Sequence, residues 1–172
     1  MTAKTQTLET DEKPRGADKK EAFHLEAESK VHTFAFDRPK IDYQTDKKKI
    51  HVRLAGTNTV RAQIQVLKEG GENNLHYHPH MDLIYMPVKG RVRFYGMEDK
   101  LLGEFGPHEG ILLPANSRYW FESVGDEELY LLQIAGFPTG EKHKRVDVKP
   151  PKQKDGGRSV WFDPATGNIT KD

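Results

Sequence analysis

From Val60 to Val66 apolar and polar residues alternate, with Val60, Ala62, Ile64 and Val66 at one set of positions and Arg61, Gln63 and Gln65 at the other. Successive side chains of a strand point to opposite faces, so a period of two predicts a half-buried antiparallel strand. Its Val60–Val66 face is expected to turn inward. IHVRL from Ile50 is a short strand before it, and Gly56 with Asn58 marks the turn between them. Further on, DLIYMPV and RVRFY flank Lys89-Gly90 as a hairpin, Val92 and Phe94 alternating with Arg91, Arg93 and Tyr95. LLGEF, ILLP, RYWFE and ELYLLQIA add four more short runs, broken at Gly96, Gly106 to Gly110, Ala115-Asn116 and Gly125-Asp126. KVHTFAF, Lys30 to Phe36, reads as a first strand and RSVWF as a late one. Pro87 predicts an irregularity in its strand, because proline cannot donate to a ladder. Short strands at regular spacing, with no convincing helix and no internal repeat, predict a single all-β sandwich or barrel.

The pattern fades at both ends. Residues 1–29 carry few apolar side chains and read as a flexible charged tail. The barrel is expected over residues 30–140. Residues 141–172 read as a linker, with Pro150, Pro151 and scattered lysines, followed by a segment that docks through Trp161 and Phe162. The terminal aromatic strand and the early Phe34 and Phe36 both need a surface to cover them, which predicts a homodimer.

Composition narrows the function. Net charge is +1, so no bulk electrostatic case exists for nucleic acid or for a membrane surface. Cysteine is absent, which removes disulfides and thiolate metal sites. No apolar run approaches the roughly 20 residues of a membrane span, and the first residues lack the apolar segment of a secretory leader. The expectation is a soluble, cytoplasmic protein acting on a small molecule.

The candidate chemistry lies in Gly71 to Phe94, GENNLHYHPHMDLIYMPVKGRVRF. His76, His78 and His80 alternate with Tyr77 and Pro79, so in extended backbone the three imidazoles share one face. Neutral imidazole nitrogen is a common metal ligand, and two neighbours in such a row can grip one ion. Alternatively, some of these histidines only fill an interior, hydrogen-bonded to neighbours.

This stretch resembles the first motif of the cupins, with Gly71, His76, His78 and Gly90 in place; GPHEGILLPANSRYWF, Gly106 to Phe121, resembles the second, with Pro114 in place. The resemblance implies an antiparallel jelly-roll barrel. It departs from the family at two ligand positions. Leu83 stands where the family has a metal-binding Glu, with Asp82 one step earlier, and Tyr119 stands where it has a third His. Asn116 replaces a turn glycine and tolerates the left-handed backbone that glycine supplies.

On the resemblance, His76 and His78 would hold a divalent or trivalent metal such as iron, manganese, nickel or zinc, with Asp82, His80, Tyr119 and water completing the set. Tyr119 would be the catalytic group, as ligand, general acid or hydrogen-bond donor, and Tyr85, Phe94 and Phe121 would line the substrate pocket. The implied activity is dioxygenase, isomerase or lyase chemistry on a small organic substrate. The alternatives are a non-catalytic small-ligand-binding cupin with a degenerate metal site, and metal-free sugar-nucleotide chemistry in which a His and a Tyr exchange protons.

Overall fold

β-branched and aromatic residues in period-two runs, separated by turn residues, form the strands that the pattern predicts. The computed structural model describes residues 16–37, 49–68, 72–138, 143–150, 160–163 and 168–170. Residues 1–15, 38–48, 69–71 (with Gly71), 139–142, 151–159, 164–167 and 171–172 lie outside the described residues.

The strands, in chain order, are β1 (Lys49–Gly56), β2 (Val60–Leu67), β3 (His76–Tyr77), β4 (Asp82–Lys89), β5 (Arg91–Tyr95), β6 (Leu101–Phe105), β7 (Ile111–Leu113), β8 (Trp120–Val124), β9 (Leu129–Gly136), β10 (Val146–Asp147), β11 (Val160–Asp163) and β12 (Asn168–Thr170). They build a seven-stranded sheet in the order β12-β11-β1-β2-β9-β4-β7, a three-stranded sheet β6-β5-β8, and the pair β10-β3. The ladders are antiparallel except for β1 with β11, which run parallel. The result is a jelly roll of facing sheets rather than one continuously hydrogen-bonded barrel. The expected strand at Lys30–Phe36 does not form; Phe36 instead meets Tyr130 edge-to-face at 5.2 Å.

The chain divides into two compact units, Met1–Thr33 and Phe34–Asp172. The first contains helix α1 (Gly16–Glu28) where the sequence pattern suggests no helix. Its residues Lys19 to Glu28 are all exposed, so no apolar stripe announces it. Good helix formers in KKEAFHLEAE and an i,i+4 ion pair, Lys30 Nζ to Glu26 at 2.7 Å, account for it instead. Among the described residues, no helix is long and apolar enough to cross a membrane.

The alternation in β2 is present, but its faces are reversed from expectation. Ile64 pairs with Val52 and Leu132, and Val66 with Ile50 and Tyr130. These residues form a cluster on the outer face of the large sheet, with Phe36, Leu54 and Phe162 packed against it. The inner face of β2 carries Gln63, Gln65 and Leu67. Leu67 joins the cluster between the sheets, with Leu83, Tyr85, Val92, Phe94, Tyr119, Phe121 and Leu131. Alternation alone reveals that a strand has two faces. It does not say which one is inside when both are covered.

Two substitutions test this packing. Ile64 is buried in the outer cluster, so Ile64→Ala should cost about 2–5 kcal/mol in urea unfolding, as large-to-small core changes do. At Gly110 a Cβ would collide with the backbone oxygen of Tyr85, where β7 approaches β4. Gly110→Ala should therefore lower the thermal midpoint, whereas Gly125→Asn, at a turn glycine with φ +81° and open space around it, should leave the midpoint nearly unchanged.

Candidate functional site

His76 and Tyr119 are joined backbone to backbone: the His76 N–H donates to the Tyr119 carbonyl at 3.1 Å, and the Tyr119 N–H donates back at 2.9 Å. This bridge sets the two rings 4.5 Å apart, centroid to centroid. The Tyr119 hydroxyl meets that of Tyr85, on β4, at 2.9 Å. Phe94 and Phe121 pack on Tyr85, at 5.2 and 5.7 Å. Thus His76, Tyr119, Tyr85, Phe94 and Phe121 come together between the sheets.

His78 joins them. Its ring lies 5.0 Å from that of His76 and nearly perpendicular to it. Both rings are pinned the same way, with His76 Nδ1 2.7 Å from the Asn74 carbonyl and His78 Nδ1 2.9 Å from the Lys144 carbonyl. A carbonyl only accepts, so each Nδ1 carries the proton and each Nε2 keeps its lone pair. Burial keeps both rings neutral. It lowers His76 to about 2, helped by the nearby Arg145 charge, and lowers His78 to about 4. Burial also raises Tyr85 to about 12 and Tyr119 well above the usual phenol value, so both hydroxyls keep their protons.

Two other expected ligands stand apart. Asp82 is exposed, and its Oδ1 accepts the Ala115 N–H at 2.8 Å, capping the turn before β8. One step along β4 puts it on the face opposite Leu83, which is buried in the inner cluster. The irregularity expected at Pro87 is present, between Pro87 and Lys89, but it is too far along the strand to re-aim Asp82. His80 sits in the turn after β3. Among the described residues, no three His, Asp or Glu side chains converge as a metal site. Asn116 does adopt the left-handed backbone, with φ 69°, and so does His108, with φ 71°.

Sequence reading missed the polar half of the interior. Gln133 Oε1 accepts from Gln63 Nε2 at 2.5 Å and from Gln65 Nε2 at 2.6 Å, and Gln63 Nε2 also donates to His51 Nδ1 at 3.2 Å. Gln65 in turn bears on the Tyr85 hydroxyl. Gln63 Oε1 is buried with no hydrogen-bond partner among the described residues. The β10–β3 pairing brings in His143, whose ring is 5.2 Å from that of His78. It also brings Arg145, whose Nε donates to Asp147 at 2.8 Å and whose guanidinium also bonds Asn74. The signal available in the sequence was glutamine at three strand positions, a residue that costs free energy to bury and so marks a built network.

Burial also holds His51 down at about 3. The unfolded chain therefore binds more protons than the native one below the ordinary histidine value of about 6.5, and stability contributed by the neutral ring is complete above that pH and lost as pH falls towards the folded value. The urea midpoint should drop between pH 6.5 and 4.5, and His51→Gln, which keeps an acceptor for Gln63, should flatten that slope. An unchanged slope would mean that His51 is not held neutral.

No protein-family model matches the chain, and no curated protein matches it. Solved structures do. A Klebsiella pneumoniae protein with a double-stranded β-helix domain superposes with TM-score 0.53 at 12% identity, covering 68% of this chain and 98% of that one. KdgF from Halomonas gives TM-score 0.51 at 15% identity, covering 63% and 96%. An oxalate oxidase, in complex with the substrate analogue glycolate, gives 0.50 at 20% identity, covering 66% and 63%. An RmlC-like cupin from Desulfovibrio desulfuricans gives 0.50 at 13% identity, covering 61% and 97%. Identities this low speak to architecture alone, and the facing antiparallel sheets with His76 and His78 between them agree with it: the chain has the fold of the cupin superfamily.

Proposed function

We propose that this chain is a metal-dependent cupin enzyme acting on a small organic molecule held between the two sheets. The observation that carries the reading is the pair of adjacent imidazoles, ring centroids 5.0 Å apart, whose Nδ1 protons are committed to backbone carbonyls and whose Nε2 atoms are thereby left unprotonated. Metal-binding histidines are commonly oriented this way by a hydrogen bond from the second nitrogen. His76 and His78 would be the two nitrogen ligands of such an ion, with Tyr119 or water as the oxygen donors. Such an ion supplies a Lewis acid, or a redox centre if it is iron or manganese. Tyr119 holds a proton on its hydroxyl, next to that of Tyr85, and can donate it to a substrate oxygen. Phe94 and Phe121 keep the site dry, which strengthens every polar contact in it. Cysteine-free N/O chemistry of this kind is at home in a reducing cytoplasm.

The second reading, a ligand-binding cupin without catalysis, is favoured by Leu83 and a protonated Tyr119 at two family ligand positions. Elemental analysis of untagged protein purified without chelator separates the two. The enzyme reading expects about one transition metal per chain, lost in the double variant His76→Ala, His78→Ala. A metal-free wild type would overturn it in favour of the second reading.

We infer further that two copies pair. Phe36 and Phe162 are partly covered within the chain, whereas Phe34 stays 57% exposed, and further apolar surface lies at Leu112 on edge strand β7 and, beside it in register, at Ile84 on β4, 61% and 47% exposed. A two-fold contact through this edge would bury both. Light scattering at micromolar concentration should give the mass of two chains, and Leu112→Glu should reduce it to one. A single-chain mass for the wild type would end the idea.

A further inference from the structure

Lys49 is the least expected side chain of the inner face. It opens β1 opposite Leu67 and is only 8% exposed. Its Nζ lies 5.1 Å from the centroid of the Phe121 ring, which belongs to the inner cluster. Among the described residues it makes neither a hydrogen bond nor an ion pair. Glu72 acts on it only at longer range, and the Arg145 guanidinium adds a second positive charge nearby. Arg145 also bears on His76, Tyr85 and Tyr119, and the carboxylate closest to it, Asp147, is already bonded to it. An unpaired buried ammonium is costly, and a methionine of similar length would seal the same space without that cost. A face ring of Phe121 offsets only part of it.

The second observation is the buried Gln63 Oε1, an acceptor with no donor among the described residues. Buried polar groups are otherwise almost always paired. The two share the inner face but lie four residues apart in the β1–β2 register, Lys49 opposite Leu67 and Gln63 opposite Arg53, so each calls for a partner of its own, an anion for the ammonium and a donor for the amide oxygen.

We propose that Lys49 is the anion-binding residue of this interior, and that the ligand is a small carboxylic acid whose carboxylate pairs with the Lys49 ammonium. The proposal deepens the small-molecule reading given above but does not depend on the metal. Burial lowers Lys49 to about 7; an arriving carboxylate restores the ammonium, so at neutral pH acid binding draws a proton onto the site. Arg145, at the β10 edge of the site, attracts the anion from solvent.

Isothermal titration calorimetry on the full chain, in chelator and at pH 6, provides the test. Glycolate and malonate are the anionic probes, glycolamide and malonamide their neutral counterparts. The acids should bind at millimolar concentration or better, at least about tenfold more tightly than the amides, a difference of about 1.4 kcal/mol. Lys49→Met should abolish that preference and Lys49→Arg retain it. The Met variant should unfold no earlier than wild type, because it removes an uncompensated charge. Equal binding of acids and amides, no binding of either acid, or a Lys49→Met variant that binds like wild type would each overturn the proposal. Because chelator is present throughout, a protein without metal leaves this result readable, and loss of acid binding cannot be confused with loss of the metal reading.

Discussion

Tyr85 and Tyr119 meet hydroxyl to hydroxyl at 2.9 Å, and much of the interior follows from that contact. Tyr85 belongs to the large sheet, and Tyr119 immediately precedes β8 of the small one. A phenol buried without a partner would carry the full cost of its lost hydration, so each hydroxyl needs the other, and the two sheets are held at the distance that lets them meet. On one side Tyr119 is bridged to His76 through backbone hydrogen bonds, which brings the imidazole pair to the site. On the other, Tyr85 leads through Gln65 to Gln133, Gln63 and His51. A connected polar network of this kind fixes its members in one arrangement, since a displaced member leaves a buried group unpaired.

The network has room on the inner face because the outer face of the large sheet also contributes apolar packing. Ile50, Val52, Ile64 and Val66 are each at most 3% exposed under Phe36, Tyr130, Leu132 and Phe162. With hydrophobic burial supplied on both faces, the inner one can give positions to glutamine, histidine and lysine. The C-terminal segment matters for this reason: β11 extends the sheet in parallel with β1, and His51 stacks on Trp161 at 4.6 Å. The β10–β3 pair matters for another. It delivers the Lys144 carbonyl that orients His78, and Arg145 beside it.

The sequence carried the architecture well because period-two alternation and turn residues act locally. Every run from IHVRL to ELYLLQIA became a strand close to its expected limits. The left-handed backbone at Asn116 and the irregularity after Pro87 were legible for the same reason. The His-x-His pair was legible as chemistry, since two imidazoles at spacing two share a face wherever the strand goes. What the sequence withheld was relative position. Nothing local says that the glutamine face of β2 looks inward, because that depends on Phe36 and Phe162, distant in sequence, covering the other face. Asp82 and Leu83 differ by one step, and only the ladder with β7 and β9 decides which of them meets the interior. Lys49 is the last of three consecutive lysines, a run whose local pattern gives no reason to bury any of them, and its burial depends on the fold around it. Helix α1 was missed because an all-exposed helix has no amphipathic signature.

The account rests on two adjacent imidazoles whose Nδ1 atoms are bound to backbone carbonyls and whose Nε2 atoms keep their lone pairs, and long-range ¹⁵N–¹H correlation of protein labelled at histidine reads that state directly. In metal-free protein at pH 7, His76 and His78 should both appear as neutral rings protonated at Nδ1, with Nε2 unprotonated, and one equivalent of Zn²⁺ should shift both Nε2 resonances together. Either ring found protonated at Nε2, or Nε2 signals that ignore the ion, would contradict the account.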